Sequence, residues 1–284
     1  MAGRITAWLV RDVDPLPEPL LSDFERLRAE IRPADVLLVE GRSRISHVIK
    51  AITQSPWTHA ALYVGRIAEV EDPALRQELA RHYPGDPQDQ VVVEALLGEG
   101  TVLKPLDKYA GEHLRICRPR GLSLRDAWRV IRYAARHLGA DYDVRQLLDL
   151  ARLLAPYTFL PRRWRSSLFA YHPGIPTRTV CSSMIAAAFA HVRFPILPVL
   201  RRDGRGRLRL YPRNTRLYTP RDFDCSPYFD IVKYPPLGFD ELGLYRQLPW
   251  DEEGVICNDP EDCFVPEPAP ALRVAAGSGE EADA

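Results

Sequence analysis

The chain has 284 residues, of which 46% are hydrophobic, 27% charged and 9% aromatic. This is enough apolar mass for one sizeable core, and it excludes a disordered or collagen-like chain. The formal charge is zero but unevenly spread. Residues 1–235 carry 36 Lys and Arg against 26 Asp and Glu, and residues 236–284 carry 2 against 12. A basic body thus has an acidic tail, which either screens the body or keeps the chain in solution. Of the 38 basic residues, 34 are Arg. Arg suits phosphates and carboxylates, although a codon bias towards Arg is the plainer explanation. The five cysteines, at 117, 181, 225, 257 and 263, are odd in number and irregularly spaced, which predicts no disulfide framework. Cys257 and Cys263 lie six apart with no His nearby, a poor zinc half-site. No secretory leader or membrane-spanning apolar run is visible. The expectation is a soluble protein of a reducing compartment, cytoplasmic or at most peripheral to a membrane.

Residues 1–32 read as a polar lead-in, with Leu21, Phe24 and Leu27 at helical spacing. The run Asp35-Val36-Leu37-Leu38-Val39-Glu40-Gly41 predicts a buried strand closed by glycine. Ile45, Val48, Ile49 and Ile52 mark one face of an amphipathic helix that stops before Ser55-Pro56. His59 to Gly65 reads as a strand, and 68–90 as a helix plus a loop. Val91–Leu97 and Thr101–Leu106 predict a hairpin across Gly98-Glu99-Gly100, and Leu114–Arg118 a further alternating strand. Ser123, three residues before Asp126, predicts a helix start, and Gly139 its stop. Residues 144–176 form an apolar, Arg-interleaved insert. It reads as a core helix with a capping loop, or as a lid that dips Phe159, Leu160 and Trp164 into lipid while Arg162, Arg163 and Arg165 hold headgroups. Thr179, as an N-cap, and Cys181 open a helix rich in small residues. Residues 201–220 read as a basic loop or hairpin whose arginines are solvated by default, and the chain from Asp259 reads as unstructured. Strands followed by helices predict an α+β domain over 33–235, with an acidic extension over 236–284.

The candidate chemistry centres on Cys181. A thiol attacks as thiolate, and a helix N-terminus and a neighbouring His both raise the thiolate fraction. Of seven histidines, His59 alone opens an apolar strand directly after a turn, where its ring can face a cleft. An orienting acceptor is also needed. Glu94, in the middle of an apolar strand, is costly there unless paired. Pairing of its strand with the one that begins at His59 would let the two side chains meet. Glu69, Glu71 and Glu99 are rivals in polar or turn segments, and His113 and His191 are spare candidates for the base. Taken singly, Cys181 also fits a buried structural thiol, His59 a core histidine and Glu94 an ion pair with an Arg.

Four segments, Asp35–Val39, Ser55-Pro56-Trp57-Thr58-His59-Ala60-Ala61-Leu62-Tyr63-Val64-Gly65, Val93-Glu94-Ala95 and Val180-Cys181-Ser182-Ser183, together resemble the circularly permuted papain-like NlpC-type family. That family includes the YiiX/YaeF-like amidases and, distantly, lecithin retinol acyltransferase. Papain-like enzymes run Cys before His; the permuted group, like this chain, runs His first. The resemblance spans 33–235 and implies a permuted papain-like fold, a small antiparallel sheet or barrel packed on helices. It also implies a Cys–His–Glu set in which Cys181 is nucleophile, His59 base and then acid, and Glu94 orienter. Tyr142 is carried over as an oxyanion or substrate contact, although the Cys181 backbone N–H is the better oxyanion donor. Thr219–Phe223 and Ser226–Phe229 resemble the family's closing segment. The expected activity is hydrolysis or acyl transfer at an amide or ester carbonyl of an acyl lipid or a small peptide or isopeptide, through a thioester. No cofactor and no metal are expected. The expected partners are that substrate and an anionic membrane surface, with no nucleic acid. The alternative is an inactive ligand-binding or membrane-adaptor module on the same fold.

Overall fold

The computed structural model describes residues 11–12, 22–142, 178–179, 181–235, 248–250, 255–259 and 262–265. Contacts divide the chain into two units, Met1–Pro236 and Leu237–Ala284. Among the described residues, the first element of the first unit is α1 (Phe24–Glu30), followed by β1 (Val36–Glu40), α2 (Arg44–Thr53), β2 (His59–Arg66) and α3 (Pro73–His82). Next come β3 (Gln90–Leu96), β4 (Gly100–Pro105), β5 (His113–Pro119) and α4 (Leu124–Ala135). Then follow β6 (Asp141–Tyr142), β7 (Arg178–Thr179), α5 (Cys181–His191), β8 (Val199–Arg202), β9 (Leu208–Tyr211), α6 (Pro220–Asp224) and β10 (Phe229–Val232).

Six strands form one sheet in the order β10-β5-β1-β2-β3-β4, antiparallel throughout. Its central strand β1 is apolar at successive positions because both faces are covered. Val36 and Leu38 pack with Ala60, Leu62 and Val93 against α4 and α5, through Ile131, Ile185 and Phe189. Leu37 and Val39 pack with Ala61 and Val92 against Leu27 of α1 and against Leu106 and Tyr109, which lie on a 3-10 turn after β4. The predicted strands 35–41, 59–65, 91–97, 101–106 and 114–118 are all present within a residue or two. The β2–β3 register shifts between Tyr63 and Gly65, and Gly65 takes φ +102° there. This is a bulge in a backbone conformation that an L side chain resists. Before the bulge Leu62 faces Val93, so Glu94 falls opposite Ala61 and on the face of His59, two positions along.

The predicted helix after Ser123 is capped as expected, since Ser123 Oγ accepts from the Asp126 N–H at 3.1 Å. Ser123→Ala should therefore cost about 1 kcal/mol, read as a lower urea midpoint at unchanged slope.

Three sequence expectations need correction. Thr179 is not the N-cap of α5; it lies in β7, which pairs in parallel with β6, and sits one residue too early to cap a helix that begins at Cys181. Strand β10 was not anticipated, because four residues at a sheet edge carry too short a pattern to separate from a loop. In the second unit, β11 (Ile256–Asp259) and β12 (Asp262–Phe264) form a hairpin where an unstructured segment was expected from Asp259. Pairing Cys257 opposite Cys263 brings their Cα atoms to 3.9 Å, and a disulfide joins them. Neither the cysteine spacing nor the reducing-compartment expectation anticipated that bond. The insert at 144–176 lies outside the described residues.

Candidate active site

His59 is placed by the turn that precedes it. The Thr58 N–H donates to the Val39 carbonyl at 3.1 Å, and Thr58 Oγ1 accepts from the Gly41 N–H at 2.9 Å. A Cβ on Gly41 would stand 2.5 Å from Ser46 Oγ and 2.8 Å from Thr58 Oγ1, so this close approach requires glycine. Trp57, fully buried, donates from Nε1 to Asp224 Oδ2 at 3.2 Å. The Arg115 guanidinium lies 4.6 Å from the Trp57 ring and pairs with the same Asp224 at 2.5 Å. Asp224 ends α6, which carries a capping box between Thr219 and Asp222. The two segments with family-like sequence, Ser55–Gly65 and Thr219–Phe223, are thereby tied together. At the start of α5, Ser182 Oγ donates to the Tyr218 carbonyl at 2.7 Å, which fixes the helix that presents Cys181.

Cys181, His59 and Glu94 are brought together. His59 Nε2 lies 2.5 Å from Glu94 Oε2, and the His59 ring also hydrogen-bonds the Cys181 sulfur. With Nε2 on Glu94, Nδ1 is the nitrogen left for the sulfur. Cys181 is 5% exposed, and Glu94 is fully buried.

Burial alone would favour the neutral form of all three groups, but their mutual arrangement opposes it. Burial pushes the Cys181 thiol up, while the His59 charge and hydrogen bond, with the backbone N–H groups of Ala60 and Ser182, pull it down; the net shift is downward. Burial pulls the His59 imidazole down, while Cys181 and then Glu94 raise it to about 10. Burial pushes the Glu94 carboxyl up, but His59, Lys108 and Tyr109 bring it down to about 2. The arrangement thus favours the charged form of each group, lowering the thiol and the carboxyl and raising the imidazole.

Two contacts to Glu94 were missed from the sequence. Lys108 Nζ lies 2.9 Å from Oε1, and the Tyr109 hydroxyl donates to Oε2. Both come from the 3-10 turn Leu106–Tyr109 after β4, and neither residue type nor spacing there marks a site. The rival residues are occupied elsewhere. Glu99 pairs with Lys104 at 2.6 Å and Glu69 with Arg66 at 3.5 Å, while Glu71 is exposed. His113 Nδ1 lies 2.8 Å from Glu40, and His191 packs beside the Tyr133 ring. For Tyr142 the backbone alone is described: it pairs with Thr179, two residues ahead of Cys181.

This chain thus has an antiparallel sheet covered by helices, with His on a strand, Glu on the next strand and Cys following at a helix start. That is the architecture of a circularly permuted papain-like α+β protein. Residues 30–151 match the family model of the permuted papain-like amidase enzymes, the YaeF/YiiX or C92 family, and the resemblance drawn from the sequence is to that family. The matched span includes His59 and Glu94; Cys181 lies beyond it. Among solved structures, that described as metalloprotein yiiX from Escherichia coli O157:H7 aligns at 14% identity, covering 72% of this chain and 98% of that one, with a TM-score of 0.44. A search of the curated proteins finds no match. Among the described residues, no group of three or more His, Cys, Asp or Glu is placed to hold a metal ion. The His59 ring is directed at Glu94 and Cys181, and the Glu94 oxygens at His59, Lys108 and Tyr109.

Proposed function

We propose that the protein is a cysteine-nucleophile hydrolase or acyltransferase acting on an amide or ester carbonyl, with a Cys181–His59–Glu94 catalytic set. The observation that carries this reading is the hydrogen-bonded series from Cys181 through His59 to Glu94, in which the thiol is shifted down and the imidazole up. The match to an amidase family supports the amide reading.

In the proposed cycle the Cys181 thiolate attacks the substrate carbonyl carbon. The carbonyl π pair moves onto oxygen, and the oxyanion is held by the Cys181 N–H. As a helix-opening N–H, this group has no partner within α5. The tetrahedral intermediate collapses by expelling the amine or alkoxide, which takes the proton from the His59 imidazolium. A thioester and neutral His59 remain. His59 then takes a proton from water, or from another acceptor, as it attacks the thioester. Collapse releases the acyl product and restores the thiolate beside protonated His59. Glu94 holds the ring orientation and balances its charge throughout, without itself becoming protonated. An acyl lipid or a small peptide or isopeptide amide is the proposed donor.

The test is alkylation with limiting iodoacetamide from about pH 4 to 10, each cysteine being read by peptide mass spectrometry. Cys181 should label first, at pH values below the ordinary thiol range near about 8.5, ahead of exposed Cys225 and of buried Cys117, whose thiol burial pushes up. His59→Ala should remove that lead. Labelling of Cys181 no faster than Cys225 in the wild-type chain would leave a papain-like fold used for binding, and the enzymatic reading would fail.

A further inference from the structure

Strands β8 and β9 form a two-stranded sheet of their own, and every residue in both is exposed. An isolated hairpin buries too little to justify bare leucines by its own folding. Cross-strand partners are Val199 with Tyr211, Leu200 with Leu210, Arg201 with Arg209, and Arg202 with Leu208. Directly opposed residues share a face and alternate residues share it too. Leu200, Leu208 and Leu210 therefore lie together on one face, with Arg202 opposite Leu208 at its edge. They are 57%, 61% and 57% exposed. The other face carries Val199, Tyr211, Arg201 and Arg209. Between Val199 and Tyr211 there are five arginines and one acidic residue, Asp203. Asp203 already pairs with Arg207 and Arg209. The Arg201 and Arg205 guanidinium groups have no acidic partner among the described residues.

We propose that the β8–β9 hairpin docks the protein on an anionic lipid bilayer, its leucine face entering the headgroup boundary while the surrounding arginines hold lipid phosphates. Both halves of the pattern are needed. Exposed leucines alone would fit a protein partner, and arginines alone would fit any polyanion. Contiguous apolar side chains ringed by long cationic ones fit an interface that is apolar below and anionic above. A second copy of the chain is disfavoured as the occupant, because apposing two such hairpins brings two strongly cationic surfaces together.

The test is sedimentation of the full chain with phosphatidylcholine vesicles containing about 30% phosphatidylserine, and with phosphatidylcholine alone. The full chain should pellet with the anionic vesicles at about 50 mM NaCl and be released as salt rises towards about 0.5 M. A triple variant, L200S/L208S/L210S, should lose binding by about tenfold or more, as should R201Q/R205Q/R207Q. Unchanged circular dichroism and Cys181 labelling in both variants would keep these losses from being read as unfolding. Three results would overturn the proposal. Retention of the wild-type chain in the supernatant would leave the hairpin a solvated basic loop. Binding of the leucine variant as tight as wild type would reduce the hairpin to a polyanion contact. A wild-type dimer that the leucine substitutions dissociate would assign the face to a second copy.

Discussion

Cys181→Ala is expected to lower turnover by about 10⁴-fold or more, with His59→Ala close behind it. In the proposed mechanism the two groups act as one unit, since each shifts the other towards its charged form. The double variant should therefore be scarcely worse than either single one. The measurement is product formation from a panel of peptide amides, isopeptides and N-acyl and O-acyl lipids, followed by mass spectrometry. Cys181 packs beside Ala95, and alanine removes a single sulfur atom there, so the thermal transition should be almost unmoved. A Cys181→Ala chain that still turns over the wild-type substrate would end the thiol assignment. A substrate profile confined to peptides would end the acyl-lipid reading while leaving the chemistry intact.

Glu94→Gln is the second large expected effect, and it combines a catalytic and a stability consequence. The amide keeps the shape of the side chain but not its charge, so the imidazolium loses the anion 2.5 Å from Nε2, and Lys108 loses its partner. Turnover should fall by about 10²–10⁴-fold. The pH profile should narrow from the alkaline side. The reactive pair requires protonated His59, whose raised value near 10 depends in part on Glu94; without that charge the imidazole deprotonates at lower pH.

The stability signature is on the acid side. A carboxyl lowered from 4.5 to about 2 contributes stability that is fully present above 4.5 and is lost as pH falls through about 2. Wild-type stability should therefore drop over that window, and the Glu94→Gln chain should be flatter across it in urea titrations. An unchanged alkaline limb together with an unchanged acid slope would reduce Glu94 to a packing residue. Lys108→Met gives an intermediate case. It removes one cation from Glu94, leaves the His59 contact in place, and should shift the acid window upward by less than the Gln substitution removes.

The amino-acid sequence by itself determined five of the six strands of the main sheet and the position of the candidate site along the chain. Apolar runs such as Val36–Val39 and Val91–Val93 read as buried strands because strand burial repeats over neighbouring residues. His59 after a turn and Cys181 before a run of alanines were legible because reactive groups at element ends are local patterns. Glu94 was legible because a carboxylate inside an apolar strand must find a partner, whichever one the fold supplies.

Only the tertiary structure decided what that partner set is. The β2–β3 register and its bulge at Gly65 place Glu94 on the face of His59, and register is a property of two strands rather than of either. Lys108 and Tyr109 reach Glu94 from a turn that carries no signal of its own. The Trp57–Arg115–Asp224 contact joins residues up to 167 positions apart. Cys257 and Cys263 pair because a hairpin opposes them, which spacing alone does not encode. In each case a short-range pattern identified a residue in need of a contact. The contact itself came from chain segments brought together by burial of the sheet, and that long-range choice leaves no local mark in the sequence.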